Sequence, residues 1–155
     1  MRLVKAVLLP VLALVATFVL LGAAPAEKQK FEKTLPFAGD KDIKIGIKYG
    51  DVTIDSVRVR HWPDAENLAK GEKDLNDTHT VWLDFTYSNR DADHDYKCAY
   101  TAVVPGPDGP WAQNDRTATL DKGKIGDTNK LSLKMKTHRY KTAKSFKVSF
   151  EIWRK

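Results

Sequence analysis

The amino-acid sequence predicts an all-β domain, an antiparallel sandwich of about seven strands. Three observations carry that expectation. Apolar residues recur at every second position through most of the chain after residue 42, the spacing of strands with one face buried. The alternating runs are separated by clusters of Gly, Pro, Asn and Asp, which supply turn geometry. No stretch in that region holds a helical period long enough for a second layer of helices.

The first 26 residues, "MRLVKAVLLPVLALVATFVLLGAAPA", place Arg2 and Lys5 ahead of an apolar run that ends at a small-residue triplet, Ala24-Pro25-Ala26. That order of charge, apolar segment and A-x-A site reads as a secretory signal peptide. Pro10 interrupts a run already shorter than the roughly 20 residues of a spanning helix, so no membrane span is expected after cleavage. Losing Arg2 and Lys5 takes the formal charge from +6 to +4. The expected location is periplasmic or secreted. Cys98 is the single cysteine, so no intramolecular disulfide can form and the core alone must hold the fold. Its expected place is the apolar face of a strand.

Residues 27–42, "EKQKFEKTLPFAGDKD", are charged, contain a Pro and a Gly and show no sustained period. They read as a tether or irregular segment before a domain spanning 43–155. In that domain Ile43, Ile45, Ile47 and Tyr49 share one face, and Gly50-Asp51 offers a tight turn into "VTIDSVRVRHW". There the phase changes between Val52-Ile54 and Val57-Val59; one extra residue near Asp55-Ser56, a β-bulge, restores a common inner face. The segment "PDAENLAKGEKDLNDT" supports one or two helical turns, with Asp64 before and Gly71 after "AENLAK" as caps.

Val81, Leu83, Phe85 and Tyr87 then alternate with Trp82, Asp84, Thr86 and Ser88, the cleanest amphipathic strand in the chain. Tyr96 to Val104 continues the pattern beyond an acidic turn, and the three prolines of "PGPDGP" exclude a sheet interior. A short strand is expected near Arg116 to Leu120. Leu131, Leu133 and Met135, then Phe146, Val148, Phe150 and Ile152, form the last two runs, joined by "THRYKTAK". Short strands spaced by turns in this way argue for an immunoglobulin-like sandwich, with a small β-barrel as the alternative.

The pairing of "IKIGIKYGDVTIDSVRV" with "VWLDFTYSNRDADHDYK" resembles the immunoglobulin-like domains of unknown function on secreted and surface proteins of bacteria. In those domains a short strand and a glycine turn lead into a strand ending V-x-V, and a later strand finishes in an Asn-containing turn. Gly50, Val57, Val59, Leu83, Phe85 and Asn89 stand in those places, over residues 43–104. The resemblance implies the sandwich and an exported location and transfers no catalytic residue. The lipid-anchor cysteine that many such proteins carry is absent.

Few residues carry recognisable chemistry. Asp91, Asp93 and Asp95 have the i, i+2, i+4 oxygen spacing that opens a calcium loop, but Tyr96 and Ala102 stand where an EF-hand needs Gly and Glu. They form either a looser calcium site or a solvated hairpin tip. The four histidines lack zinc-ligand spacing, and there is no nucleophile elbow or phosphate loop. An enzyme is not expected, and the remaining alternative is a small hydrolase whose His, Asp and Ser side chains converge only in the fold. Between Lys122 and Lys155 eleven basic residues oppose only Asp127 and Glu151. Lys130, Lys134 and Lys136 share the outward parity of their strand and Lys147 that of the next. Pairing of those two strands would build one positive sheet face. Trp82 and Trp153 also fall on outward parity, where an aromatic surface can stack on a sugar or anchor a protein. The expected function is a non-catalytic binding or scaffold domain whose basic, Trp-containing C-terminal face meets an anionic surface polysaccharide or another envelope protein. Nucleic acid is not the expected ligand of an exported chain.

Overall fold

A computed structural model describes residues 27–70 and 77–155. The predicted signal peptide, residues 1–26, and the expected helix cap Gly71 lie outside the described residues. Among the described residues eight strands form: β1 (Gln29–Pro36), β2 (Asp42–Tyr49), β3 (Val52–Arg60), β4 (Thr78–Asn89), β5 (Tyr96–Val104), β6 (Ala112–Leu120), β7 (Asp127–Lys136) and β8 (Ser145–Arg154). One short helix, α1 (Ala65–Lys70), follows β3, and a 3-10 turn at Thr137–Lys141 joins β7 to β8. Asp64 caps α1 as expected, its Oδ1 accepting the Asn67 N–H at 2.7 Å.

The strands build two antiparallel sheets that pack face to face without closing into a barrel. The front sheet has the order β2-β3-β4-β7 and the back sheet β1-β8-β5-β6. The alternating runs explain the layering. Val57, Val59, Val81, Leu83, Phe85, Leu131 and Leu133 point inward from the front, and Cys98, Tyr100, Ala102, Phe146, Val148, Phe150 and Ile152 from the back; all are at most 1–2% exposed. At the centre Phe85 meets Tyr100 and Phe150 at ring-centroid distances of 5.0 and 5.6 Å, the spacing of favourable tilted and edge-to-face pairs. The bulge expected in the second run is present: the β3–β4 register slips between Ile54 and Ser56. The displaced Asp55 accepts the Ser88 hydroxyl at 2.7 Å.

Two sequence expectations are corrected here. Residues 27–42 are not a tether, because Gln29–Pro36 pairs with β8 in continuous register from Gln29 opposite Ile152 to Pro36 opposite Ser145. Phe31, Leu35 and Phe37 supply its apolar side, masked in the sequence by the charges between them, as suits an edge strand. Nor do the last two runs pair with each other. The 3-10 turn carries the chain from one sheet to the other, so β7 pairs with β4 and β8 lies between β1 and β5. Across the seam between the sheets, Asn114 and Arg116 of β6 donate to the carbonyls of Ser132 and Lys130 on β7, both at 2.8 Å. These bonds satisfy two carbonyls on the free edge of β7 and fix the backbone at Lys130.

Candidate functional site

With Val57, Val59, Leu83 and Phe85 facing the core, strand alternation turns Arg58, Arg60, Trp82 and Asp84 to the outer surface of the front sheet. The register then decides which of them meet. Arg60 stands opposite Trp82, and Trp82 opposite Ser132; one row along, Arg58 stands opposite Asp84, and Asp84 opposite Lys130. Asp42 pairs with Arg58 at 2.7 Å and closes that row. Arg60, His61, Trp82, Asp84 and Lys130 line one shallow cleft of about 190 Å³. That is less than the roughly 300 Å³ at which pockets enclose a drug-sized molecule, and suits a single ring laid on the sheet.

The wall of the cleft combines three kinds of group. Trp82 is 40% exposed in mid-strand, where a large aromatic gains nothing from the core and remains available for stacking. Asp84 is nearly covered, its side chain 12% exposed. One carboxylate oxygen, Oδ2, accepts an N–H of Arg60 at 3.1 Å, while Oδ1 is buried with no hydrogen-bond partner among the described residues. An unmatched buried acceptor of this kind costs about 1–3 kcal/mol, and a donor from a ligand would recover it. The third kind of group is positive charge. Lys130 stands exposed beside Asp84 with no carboxylate at ion-pairing distance among the described residues, and Lys134 and Lys136 follow on the same face of β7.

The rim of the cleft is held from beneath. His61 follows β3 in the left-handed region, φ 60°, a conformation uncommon outside glycine. Its carbonyl bonds the imidazole Nε2 of His79, and the His79 ring sits edge-on to Tyr140 with centroids 5.7 Å apart. Tyr140 in turn packs on Trp62 and Phe37 at 5.3 and 5.9 Å, so an aromatic plug at this end of the sandwich positions the cleft.

No family model, curated protein or solved structure matches the chain. The site therefore rests on its own geometry.

The structure separates the residues that the sequence grouped. Trp82, Lys130, Lys134 and Lys136 share the outer front face, as their parities required. Lys147 and Trp153 belong to β8 and lie on the outer back face, so the single C-terminal face expected from the sequence does not form. Both are already engaged there: Lys147 pairs with Glu32 at 2.7 Å, and the Lys28 ammonium lies 4.5 Å over the Trp153 ring. A similar use is made of Trp111, which carries Arg139 on its ring at 5.4 Å.

The acidic turn is an ordered loop whose carboxylates serve the protein's own donors. Asp91 accepts the N–H groups of Asp93 and His94 at 2.8 and 3.0 Å, the His94 Nδ1 at 3.0 Å and the Tyr96 hydroxyl at 3.2 Å. These donors, the Asp93 N–H foremost, hold its pKa down at about 2. Asp95 accepts the Lys122 N–H at 3.0 Å, and Asp93 is exposed. Among the described residues no three His, Cys, Asp or Glu side chains are placed to hold a metal ion.

Arg60, His61 and Asp84 are the members of the cleft that sequence reasoning misses. Their signal is present, since Arg58, Arg60 and Asp84 all fall on outward parity. It becomes usable only with the pairing of β3 and β4 around the Asp55 bulge, because that bulge shifts Arg60 into line with Trp82.

Proposed function

We propose that this protein is an exported, non-catalytic binding domain of immunoglobulin-like type that engages an anionic surface polysaccharide through the outer face of its front sheet. One observation carries the reading: Trp82 stands exposed in mid-strand between Arg60 and the basic row of β7, beside a carboxylate with a free buried acceptor. Sugar rings present an apolar face to aromatic side chains and hydroxyls to carboxylates, while a polymer's repeated negative charge favours a lysine row over a single ion pair. The buried Cys98 thiol, pushed up to about 12 by desolvation, is no nucleophile near neutral pH, in keeping with a binding role.

The test is retention on a panel of immobilised polysaccharides, neutral, carboxylated and sulfated, at low and at moderate salt. Retention on the charged members that falls with salt and is lost in Trp82→Ala supports the reading. Retention that Trp82→Ala leaves unchanged places the binding elsewhere and overturns it.

A further inference from the structure

The cleft is more selective than a positively charged face needs to be. A surface built only to attract polyanions gains nothing from a carboxylate at its centre, yet Asp84 sits between Lys130 and the guanidinium of Arg60, nearly covered and with Oδ1 unmatched. Its charge repels the polymer. Its free oxygen can act only as a hydrogen-bond acceptor, so the complementary ligand brings a donor, and with the cations of Arg60 and Lys130 already beside it a neutral donor fits best, a sugar hydroxyl foremost. The remaining N–H groups of Arg60 and the unpaired Lys130 ammonium flank that position and match a carboxylate. Trp82, between them on the sheet, offers the platform for the ring.

We infer that the Trp82 cleft reads one uronic-acid unit of a polysaccharide: the pyranose ring on Trp82, a ring hydroxyl donating to Asp84 Oδ1, and the carboxylate held by Arg60 and Lys130. The inference rests on the reading of this face as a polysaccharide surface and adds the unit that it recognises. It separates uronates from two near neighbours. A neutral hexose satisfies Trp82 and Asp84 and leaves the cations unpaired, whereas a densely sulfated chain satisfies the cations and meets Asp84 with negative charge.

The experiment is calorimetric titration of the protein with cello-oligosaccharides, with their C6-oxidised cellouronic counterparts of equal length, and with dextran sulfate. Asp84→Ala, Lys130→Ala and Trp82→Ala are run alongside, and far-ultraviolet dichroism shows that each variant is folded. The uronate is expected to bind about tenfold more tightly than the neutral oligomer, a difference of one charge-assisted contact. Asp84→Ala is expected to weaken uronate binding about tenfold and to strengthen dextran sulfate binding, because removing a negative charge helps any ligand that only needs cations. This opposite response is the signature of hydroxyl recognition, and Lys130→Ala gives an independent check on the carboxylate contact.

Equal affinities for the uronic and neutral oligomers overturn both readings, whereas dextran sulfate bound as tightly as the uronate, both lost in Trp82→Ala, overturns the uronate inference and leaves the anionic polysaccharide surface standing. Tighter uronate binding in Asp84→Ala also overturns it, because the carboxylate then acts only as repulsion. Binding of all three ligands untouched by Trp82→Ala, or no binding at all, overturns both readings together.

Discussion

Lys130 and Lys147 face solvent from opposite sheets of the sandwich. Lys130 stands across from Asp84 in the β4–β7 register, while Lys147 on β8 pairs with Glu32 at 2.7 Å. Their charges therefore serve different surfaces. Lys130→Ala is expected to weaken binding of a carboxylated polysaccharide about fivefold, the effect of losing one exposed charge contact. Lys147→Ala should leave binding and the unfolding temperature where they were, because an exposed pair contributes little. Titrations of the two variants side by side check this, and a loss confined to Lys147→Ala would put the ligand on the back sheet.

Asn89 closes β4 with no exposed surface, and its side chain is fully used. Its amide donates to the carbonyls of His94 and Leu120, both at 3.0 Å, and its Oδ1 accepts the Asp91 N–H at 3.0 Å. Asn89→Ala removes the partner of one buried and two part-buried backbone groups and is expected to cost about 2 kcal/mol, a fall of roughly 5 °C in Tm for a domain of this size. Asn89→Asp is the sharper variant, since it keeps the shape and loses both donors. Thermal unfolding of Asn89→Asp at the wild-type Tm would show that packing, not hydrogen bonding, gives this residue its weight.

What the sequence discloses and what it hides divide along a physical line. Period-2 alternation is local, so the inner faces at Val81–Tyr87 and Phe146–Ile152 and the bulge at Asp55 are all legible in the order of the residues. Strand pairing is not local. Nothing in "THRYKTAK" shows that it crosses between sheets, and the loss of the combined lysine face follows from that one connection. Edge strands are the other blind spot. In β1 and β6 one side is only partly covered, so charges and Thr, Asn and Asp dilute the pattern; from sequence β1 reads as a tether and β6 as a stub near Arg116 to Leu120. The cleft is hidden for the first of these reasons, because Arg60 and Asp84 come together only through the pairing of β3 with β4.

Asp91 gives the acidic turn a defined acid sensitivity. Its folded pKa lies below the usual carboxylate value, at about 2, so the ionised form is the one that the fold favours. The stabilisation is present above about pH 4, where the unfolded carboxylate is also ionised, and is lost as pH falls from about 4 towards 2. Asp91→Asn should flatten the decline in unfolding free energy across that window. Denaturant titrations at several pH values between about 2 and 5 measure it, and parallel slopes for wild type and variant would remove Asp91 as the source.

Cys98 lies on the inward side of β5 with no exposed surface, and desolvation raises its thiol pKa to about 12. A thiol so placed is almost wholly neutral at about pH 8 and has no path to a reagent while β5 is seated between β6 and β8. Labelling by a disulfide-exchange reagent should therefore be slow in the folded protein and rise with denaturant in step with global unfolding, because the central strand opens only when the sandwich does. The same burial keeps the protein from linking into disulfide dimers under oxidising conditions. Rapid stoichiometric labelling without denaturant would mean that β5 or its β6 neighbour opens locally, and would make the β6 edge, rather than the whole sandwich, the least stable part of the fold.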